Sequence, residues 1–316
     1  MMFDSNKFIT DASASIKEKV KGKAIIACSG GIDSSVSAVL AGKVLGKDLL
    51  AIFVDTGFMR KNEPEEVEKM FKDTGINFKS VNASTEYFEA LKGITDPEKK
   101  RKIIGEKFIR IFEREAKEFG AKYLIQGTIA TDWMESGDDN HKTIKSHHNV
   151  GGLPKDMDMT LVEPLWDLYK DQVRQVARTL GIKSSERQAF PGPGLAVRCL
   201  ADITPENIEI VREACYIVED EIKKASDTGT MTCPWQYFAV LLSTRTVGIQ
   251  DSGRAYGMTI AIRAVESSDG MTAKHSDIPL SVLNTISKRI TSTMSKDVSR
   301  VVYDITDKPP ATIEWE

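Results

Sequence analysis

Short apolar runs alternate with helical apolar stripes through the first half of the chain. Continuous apolar runs occupy residues 24–28 and 49–54, a pattern typical of strands buried on both faces, and shorter strands are predicted at 78–81 and 123–125. Apolar residues at helical spacing begin after Asp33, and the same spacing recurs over residues 65–74 and 97–119. Strands that alternate with helices predict an α/β fold with a parallel, doubly wound sheet.

The second half has a different order of elements. A helix is predicted over residues 169–180, and the stretch richest in proline and glycine follows at 189–198. Beyond it, Thr204 and Pro205 open a helix, and strands at 235–242 and 256–264 precede a helix at 278–294 and a strand at 300–305. We therefore expect two domains, at residues 1–188 and 189–316, the second a small α+β module.

Composition narrows the class of protein. The chain has 316 residues, of which 41% are hydrophobic and 28% charged, and a net charge of −3, as in a globular protein without a general affinity for nucleic acid. No apolar run reaches about 18 residues, and the first residues lack the pattern of a signal peptide. The four cysteines are scattered, which argues against a disulfide framework or a zinc site. We expect a cytoplasmic protein that binds neither membranes nor nucleic acids.

A glycine- and serine-rich loop joins the first strand to the first helix of the sheet. Glycines let the backbone approach a ligand, and the helix start offers free N–H groups and the positive end of its dipole. The order of strand, glycines, hydroxyls and helix favours a phosphate site over a plain capped turn, although neither GxxxxGK[ST] nor GxGxxG is present. The residues of this loop are Ser29, Gly30, Gly31, Ile32, Asp33, Ser34 and Ser35.

Two further loops belong to the same predicted edge of the sheet. Ligands bind at the carboxyl ends of parallel strands, and residues 55–60 and 127–132 follow the second and fourth predicted strands. The sequence therefore predicts a nucleotide site at this edge.

Residues 131–160 are polar and lack any helical or strand period. A stretch of this length is typical of a lid or of a solvated loop. Its positive side chains suit phosphates, whereas metal binding by its histidines is disfavoured because no HExxH spacing occurs. These side chains include Lys142, Lys145, His147, His148 and Lys155.

The last nine residues, KPPATIEWE, combine a proline pair with two side chains that favour burial, Ile313 and Trp315. Chain ends are normally frayed and polar. Either this tail is docked for packing, or it holds Lys308, Thr312 and Glu314 rigidly at a ligand.

Seven ordered segments resemble the GMP synthetases, a family of the N-type ATP pyrophosphatases. They are SGGIDSS, VDTGFMRK, DPEKKRKIIGEKF, IKSHHNVGGLPK, FPGPGLAVR, RAVESSDGMTA and RVVYDITDKPPATIEWE, and they cover the chain from about residue 23 to its end. The resemblance implies the adenine nucleotide α-hydrolase-like fold for the first domain and a dimerisation domain for the second.

The resemblance also implies a reaction. O2 of XMP attacks the α-phosphorus of ATP, pyrophosphate leaves, and ammonia displaces AMP from the adenylyl-XMP intermediate to give GMP. By the same resemblance Ser29 to Ser35 hold pyrophosphate and Asp33 binds Mg²⁺.

Further roles are implied residue by residue. In the family's pattern, the adenosine is flanked by Ala27, Val54 and Gly127. A second group faces phosphates or closes over the reaction, and it consists of Arg60, Lys145, His147 and His148. XMP is bound by Lys308, Thr312 and Glu314.

Many members of this family carry an N-terminal glutaminase domain with a nucleophilic cysteine. Only 23 residues precede the first predicted strand here, and Cys28 lies within that predicted strand. The expectation is a synthetase subunit that receives ammonia from a separate glutaminase subunit, and that forms a homodimer with XMP near the interface between its two copies.

Other readings stay open. NAD synthetase and argininosuccinate synthetase use the same loop but lack the KPPATIEWE tail, and a thiolating tRNA enzyme would need reactive cysteines. A catalytically silent nucleotide-binding subunit is the alternative outside the enzymes.

Overall fold

The computed structural model describes residues 3–130, 132, 159–182, 188–250, 253–268 and 270–316. The chain divides into two compact units. The first contains Met1–Thr56, Asn62–Ala83 and Ile104–Arg187, and the second contains Gly57–Lys61, Ser84–Ile103 and Gln188–Glu316. The second unit thus takes in two segments from the first half of the sequence.

The first unit is built on a five-stranded sheet with the order β3-β2-β1-β4-β5, in which all pairs are parallel. In β1, Ala24 pairs with Leu49 of β2 on one side and with Tyr123 of β4 on the other. Strands β1 and β2 are almost wholly apolar and buried, as a central parallel pair must be. The strands are β1 Ala24–Ala27, β2 Leu49–Asp55, β3 Phe78–Asn82, β4 Tyr123–Ile125 and β5 Thr160–Val162.

Helices connect these strands, and their ends follow local rules. Asp4 caps the first helix by accepting from the backbone N–H groups of Asn6 and Lys7. Gly75 ends the third helix in the left-handed region that glycine favours. The helices are α1 Ser5–Lys19, α2 Ile32–Leu45, α3 Glu63–Thr74, α4 Ser84–Leu91, α5 Pro97–Phe119 and α6 Lys170–Thr179, of which α4 and residues 97–103 of α5 belong to the second unit.

The second unit contains a mostly antiparallel sheet. Strands β6 and β7 pair along their full length, β8 adds to β7 antiparallel, and β9 pairs with β7 in parallel. Residues 257–265 of β7 are buried at every position, so this strand forms the core of the unit. Its further elements are the 3₁₀ helix Gly194–Arg198, α7 Pro205–Asp227, β6 Gln236–Gln250, β7 Gly253–Glu266, β8 Lys274–His275, α8 Leu280–Thr293 and β9 Val298–Asp304.

The predicted α/β class with a parallel sheet followed by a small α+β module is confirmed. The predictions missed α4, β5 and β8, and they ended β6 eight residues early, at 242 instead of 250. The predicted loop at 131–160 lies outside the described residues except at positions 132, 159 and 160, and Thr160 already begins β5. Within the described part of the chain, no helix is long and apolar enough to cross a membrane.

Candidate functional site

The predicted phosphate loop lies between β1 and α2 in the first unit. Gly31 precedes α2 and offers no side-chain cap, so the N–H groups of the first helical turn have no capping side chain as acceptor. The hydroxyls of Ser34 and Ser35 donate to Gly31 O, at 3.1 and 2.8 Å. Ser29 Oγ lies 3.2 Å from Ser34 Oγ. This arrangement forms a polar cradle at the positive end of a helix, which is suited to an anion.

Gly127 follows β4 and lies directly against the start of α2. A Cβ at this position would be 2.9 Å from Asp33 C and Ser34 N. Only glycine lets the two backbones approach this closely. The sequence predicted Gly127 at the site, and the structure brings it to the first turn of α2.

Asp33 is the charged residue of the loop. Its Oδ2 lies 2.6 Å from Lys170 Nζ, whereas its Oδ1 is buried and has no hydrogen-bond partner among the described residues. Lys170 is the first residue of α6, where a cation is unfavourable next to the helix dipole. No role for Lys170 followed from the sequence, although a lysine at the start of a predicted helix, where a cation is unfavourable, was a signal that could have pointed to it.

The other residues predicted for adenosine occupy the same edge of the sheet. Ala27 is the last residue of β1, and Val54 lies near the end of β2, where only 3% of it is exposed. With Gly127 after β4, they mark the carboxyl ends of three neighbouring strands.

Glu163, directly after β5, is an acidic group at this edge that the sequence did not single out. Burial raises the pKa of its carboxyl, and Asp132 adds to the rise, while a hydrogen bond with Thr128 opposes it. The edge therefore contains a carboxylate whose environment differs from that of Asp33.

Three of the cysteines are buried thiols. Burial raises the pKa of Cys28 and of Cys215, and it raises the pKa of Cys199 to about 11. A nucleophilic cysteine needs the opposite shift. Cys233 is exposed, and its Sγ lies 3.6 Å from Tyr237 Oη.

Arg60 belongs to the second unit. Its Nη2 donates to Gln188 O at 2.9 Å and to Ala189 O at 3.3 Å, and its guanidinium lies 4.2 Å from the centre of the Phe190 ring. The structure thus places Arg60 against the proline- and glycine-rich segment. The predicted lid residues Lys145, His147 and His148 lie outside the described residues.

The tail is ordered by contacts within the second unit. Lys308 exchanges two backbone hydrogen bonds with Ala273, and its Nζ donates to Gly270 O at 2.7 Å. Thr312 Oγ1 donates to Glu314 O. Trp315 Nε1 donates to Asp304 Oδ2 at 3.1 Å. The three residues predicted to bind XMP therefore lie on a fixed segment, and both packing and ligand binding are compatible with it.

In the tail, the Glu314 carboxylate accepts three hydrogen bonds from side chains. Arg198 Nε donates to its Oε2 at 3.0 Å, and Arg198 Nη2 and Gln236 Nε2 donate to its Oε1 at 2.6 and 3.0 Å. Sequence reasoning missed both donors. The signal for Arg198 was a charged residue that ends the apolar run 195–197.

Metal binding can be judged from the donors present. Among the described residues, no group of three or more histidine, cysteine, aspartate or glutamate side chains could hold a metal ion. Mg²⁺ commonly takes only one or two protein carboxylates, the remaining ligands being water and phosphate oxygens. The unpartnered Oδ1 of Asp33 fits that requirement.

The parallel sheet and the cradle at the start of α2 define the class, an α/β protein of the N-type ATP pyrophosphatases. The family model described as queuosine biosynthesis protein QueC matches residues 23–189, and the model described as GMP synthase C terminal domain matches residues 220–315. Full-length relatives then specify the family.

Curated proteins named as the B subunit of GMP synthase (glutamine-hydrolyzing) match along the whole chain. The protein from Thermococcus kodakarensis is 57% identical over 98% of this chain and 99% of its own length. That from Methanopyrus kandleri is 53% identical over 100% of both chains, and that from Pyrococcus furiosus is 57% identical over 98% of this chain and 97% of its own. The chain belongs to the family of GMP synthase B subunits, which confirms the resemblance seen in the sequence.

Proposed function

We propose that this chain uses ATP to convert XMP to GMP in purine biosynthesis, releasing AMP and pyrophosphate. The observation that carries the proposal is the cradle between β1 and α2, with Asp33 and Lys170 beside it, in a chain similar over its full length to the B subunits of GMP synthase. O2 of XMP attacks the α-phosphorus of ATP, and ammonia then displaces AMP from C2 of the adenylyl-XMP intermediate.

The cradle acts on the leaving pyrophosphate. Negative charge accumulates on this group as the α–β bond breaks, and preorganised N–H donors and cations stabilise such charge. The uncapped N–H groups of the first turn of α2 supply the donors, and the hydroxyls of Ser29 and Ser34 lie beside them. Lys170 supplies a positive charge at the same place.

Mg²⁺ is the metal ion that this site would hold. The buried, unpartnered Oδ1 of Asp33 is the protein ligand that fits it. Bound there, the ion would neutralise phosphate charge. Asp33 positions its free oxygen through the ion pair that its other oxygen makes with Lys170.

The adenosine and XMP sites complete the assignment. Ala27, Val54 and Gly127 flank the adenosine at the carboxyl ends of β1, β2 and β4. In the tail, Lys308 binds the XMP phosphate and Glu314 accepts an N–H from the purine, with Thr312 beside it.

We infer that Arg60 and Lys145 face phosphates or substrate, and that the lid with Lys145, His147 and His148 closes over the reaction. Their function is to exclude water, because an adenylylated oxygen is readily hydrolysed.

Ammonia comes from a separate glutaminase subunit in this proposal. The relatives are named as glutamine-hydrolyzing and as the B member of a set of subunits, which supports a partner that hydrolyses glutamine. The raised pKa values of Cys28, Cys199 and Cys215 disfavour a thiolate nucleophile at those positions.

A homodimer is the assembly that we propose. Large apolar side chains are exposed on the second unit near the turn between β6 and β7, where Val247, Ile249 and Tyr256 are 47%, 84% and 66% exposed. Exposed apolar patches commonly mark interfaces. Sedimentation of the purified chain tests this, because a monomer at micromolar concentration would contradict it.

The match of residues 23–189 to a queuosine biosynthesis family raises the alternative of another acceptor activated by the same loop. Pyrophosphate release by the purified chain distinguishes these cases. We expect release from ATP and Mg²⁺ only when XMP is added, and GMP formation with ammonium salts but not with glutamine. Release without XMP, or GMP formation from glutamine by the chain alone, would contradict the proposal.

A further inference from the structure

Three cationic side chains of the described chain are completely buried, and all three bond to the C-terminal segment. Lys100 Nζ lies 2.7 Å from Glu316 Oε2, and Arg198 holds Glu314. Arg263 Nη2 donates to Thr312 O at 3.1 Å, and its Nη1 donates to Thr306 O. Burying a cation is costly unless it is paired, so this concentration on one segment requires an explanation.

Arg198 differs from Lys100 and Arg263 because it binds the carboxylate of Glu314, which the proposed function assigns to XMP binding. Its Nε and Nη2 bond to the two oxygens of Glu314 in a fork, the arrangement that fixes both the position and the plane of a carboxylate. The guanidinium itself is held by aromatic rings, with the centre of Phe238 at 4.0 Å and that of Phe190 at 5.1 Å.

The remaining capacity of Glu314 can be counted. A carboxylate offers about four acceptor positions. Arg198 takes two, and Gln236 Nε2 takes a third, on Oε1. The Glu314 side chain is still 18% exposed, so a ligand can reach it. One acceptor position in a fixed direction is thus left for an incoming donor.

We propose that Arg198 is a positioning residue, which holds the Glu314 carboxylate so that its remaining acceptor position receives one N–H of the XMP purine. This inference rests on the proposed function, in which Glu314 binds XMP. Lysine at position 198 would keep the charge but lose the fork, because an ammonium is a point donor and cannot fix the plane of a carboxylate.

A double-mutant cycle on XMP affinity tests the inference. The variants are Arg198→Lys, Glu314→Gln and the double variant in the full chain, with XMP and ATP dissociation constants measured by calorimetry. We expect Arg198→Lys to weaken XMP binding about 10- to 100-fold, the range for a charged hydrogen bond. In the Glu314→Gln background the same substitution should cost less than about threefold, because Arg198 acts through Glu314.

Arg263→Lys is the matched control. Arg263 is equally buried and bonds to the same segment, but it donates to backbone carbonyls of that segment and its ion pair is with Asp304. Its effect on XMP binding should be the same in both backgrounds. ATP affinity should be unchanged in every variant, since the cradle belongs to the first unit.

The outcomes separate the inference from the proposed function. If Glu314→Gln leaves XMP affinity unchanged, the role of Glu314 in the proposed function fails and the inference fails with it. If Glu314→Gln weakens XMP binding but Arg198→Lys is fully additive with it, only the positioning role is overturned. Should Arg198→Lys melt below the assay temperature, the same cycle is measured below its melting temperature, where full additivity likewise overturns the positioning role.

Discussion

Gly127→Ala tests whether the close approach of β4 to α2 builds the phosphate cradle. The added Cβ would lie 2.9 Å from Asp33 C and Ser34 N, whereas ordinary contacts begin at 3.4 Å, so the backbones must separate by about 3.4 − 2.9 = 0.5 Å. Backbone atoms of a helix start cannot rotate away as a side chain does. Overpacking of this kind costs about 1–3 kcal/mol in the free energy of unfolding.

The expected result is a melting temperature lower by about 2–12 °C, since about 1 kcal/mol corresponds to about 2–4 °C for a unit of this size. ATP affinity should fall as well, because the displaced N–H groups are those that we propose to face the phosphates. Circular dichroism melts and ATP titration by calorimetry measure the two effects.

Gly105→Ala is the matched control for this substitution. Gly105 lies within α5, and a Cβ there would meet nothing within 4 Å. Alanine should stabilise that helix by up to about 1 kcal/mol and leave ATP binding unchanged. If Gly127→Ala melts and binds ATP like Gly105→Ala, the close approach has no role in the cradle and the reasoning is refuted.

Two further predictions concern carboxylates. Asp33→Asn should lower XMP-dependent pyrophosphate release by about 10²–10³-fold at saturating Mg²⁺. Asp171→Asn is the control: it changes an 86% exposed carboxylate paired with Arg174 and should have no effect. Near-normal release by Asp33→Asn would refute the proposed role of Asp33. Burial raises the pKa of Glu163 in the folded protein above its value in the unfolded chain. The free energy of unfolding therefore falls as the pH rises from the pKa of the unfolded chain through the pKa of the folded protein, where Glu163 must ionise while buried. Glu163→Gln should therefore melt higher than the parent at pH 7 and equally at about pH 3, and a difference that is independent of pH would contradict this.

Local patterns explain which elements could be predicted. The bounds of α5 and β4 follow directly from the sequence, because Pro97 opens the helix, Gly120 ends it, and an apolar run comes next. Strand β5 has only three residues, two of which are not fully buried, and its pairing with β4 defines it. Beyond Leu242, β6 contains a register shift before Arg245, and its pairing with β7 keeps it extended.

The residues of the candidate site also differ in whether the sequence alone could predict their contacts. The loop from Ser29 to Ser35 is contiguous, and its chemistry was predicted from its own residues. The ion pair of Asp33 with Lys170 joins residues 137 positions apart, and that of Arg198 with Glu314 joins residues 116 positions apart. Spacing along one chain carries no information on such pairs, which depend on the tertiary fold.

Transfer of an oxygen atom tests the central claim most directly. XMP labelled with ¹⁸O at O2 is incubated with the chain, ATP, Mg²⁺ and ammonium salts, and the AMP that forms is analysed by mass spectrometry. If O2 attacks the α-phosphorus and ammonia then displaces AMP at C2, the label must leave with the phosphate of AMP. We expect one ¹⁸O atom in AMP for each GMP formed. Unlabelled AMP in amounts equal to GMP would contradict the adenylyl-XMP route.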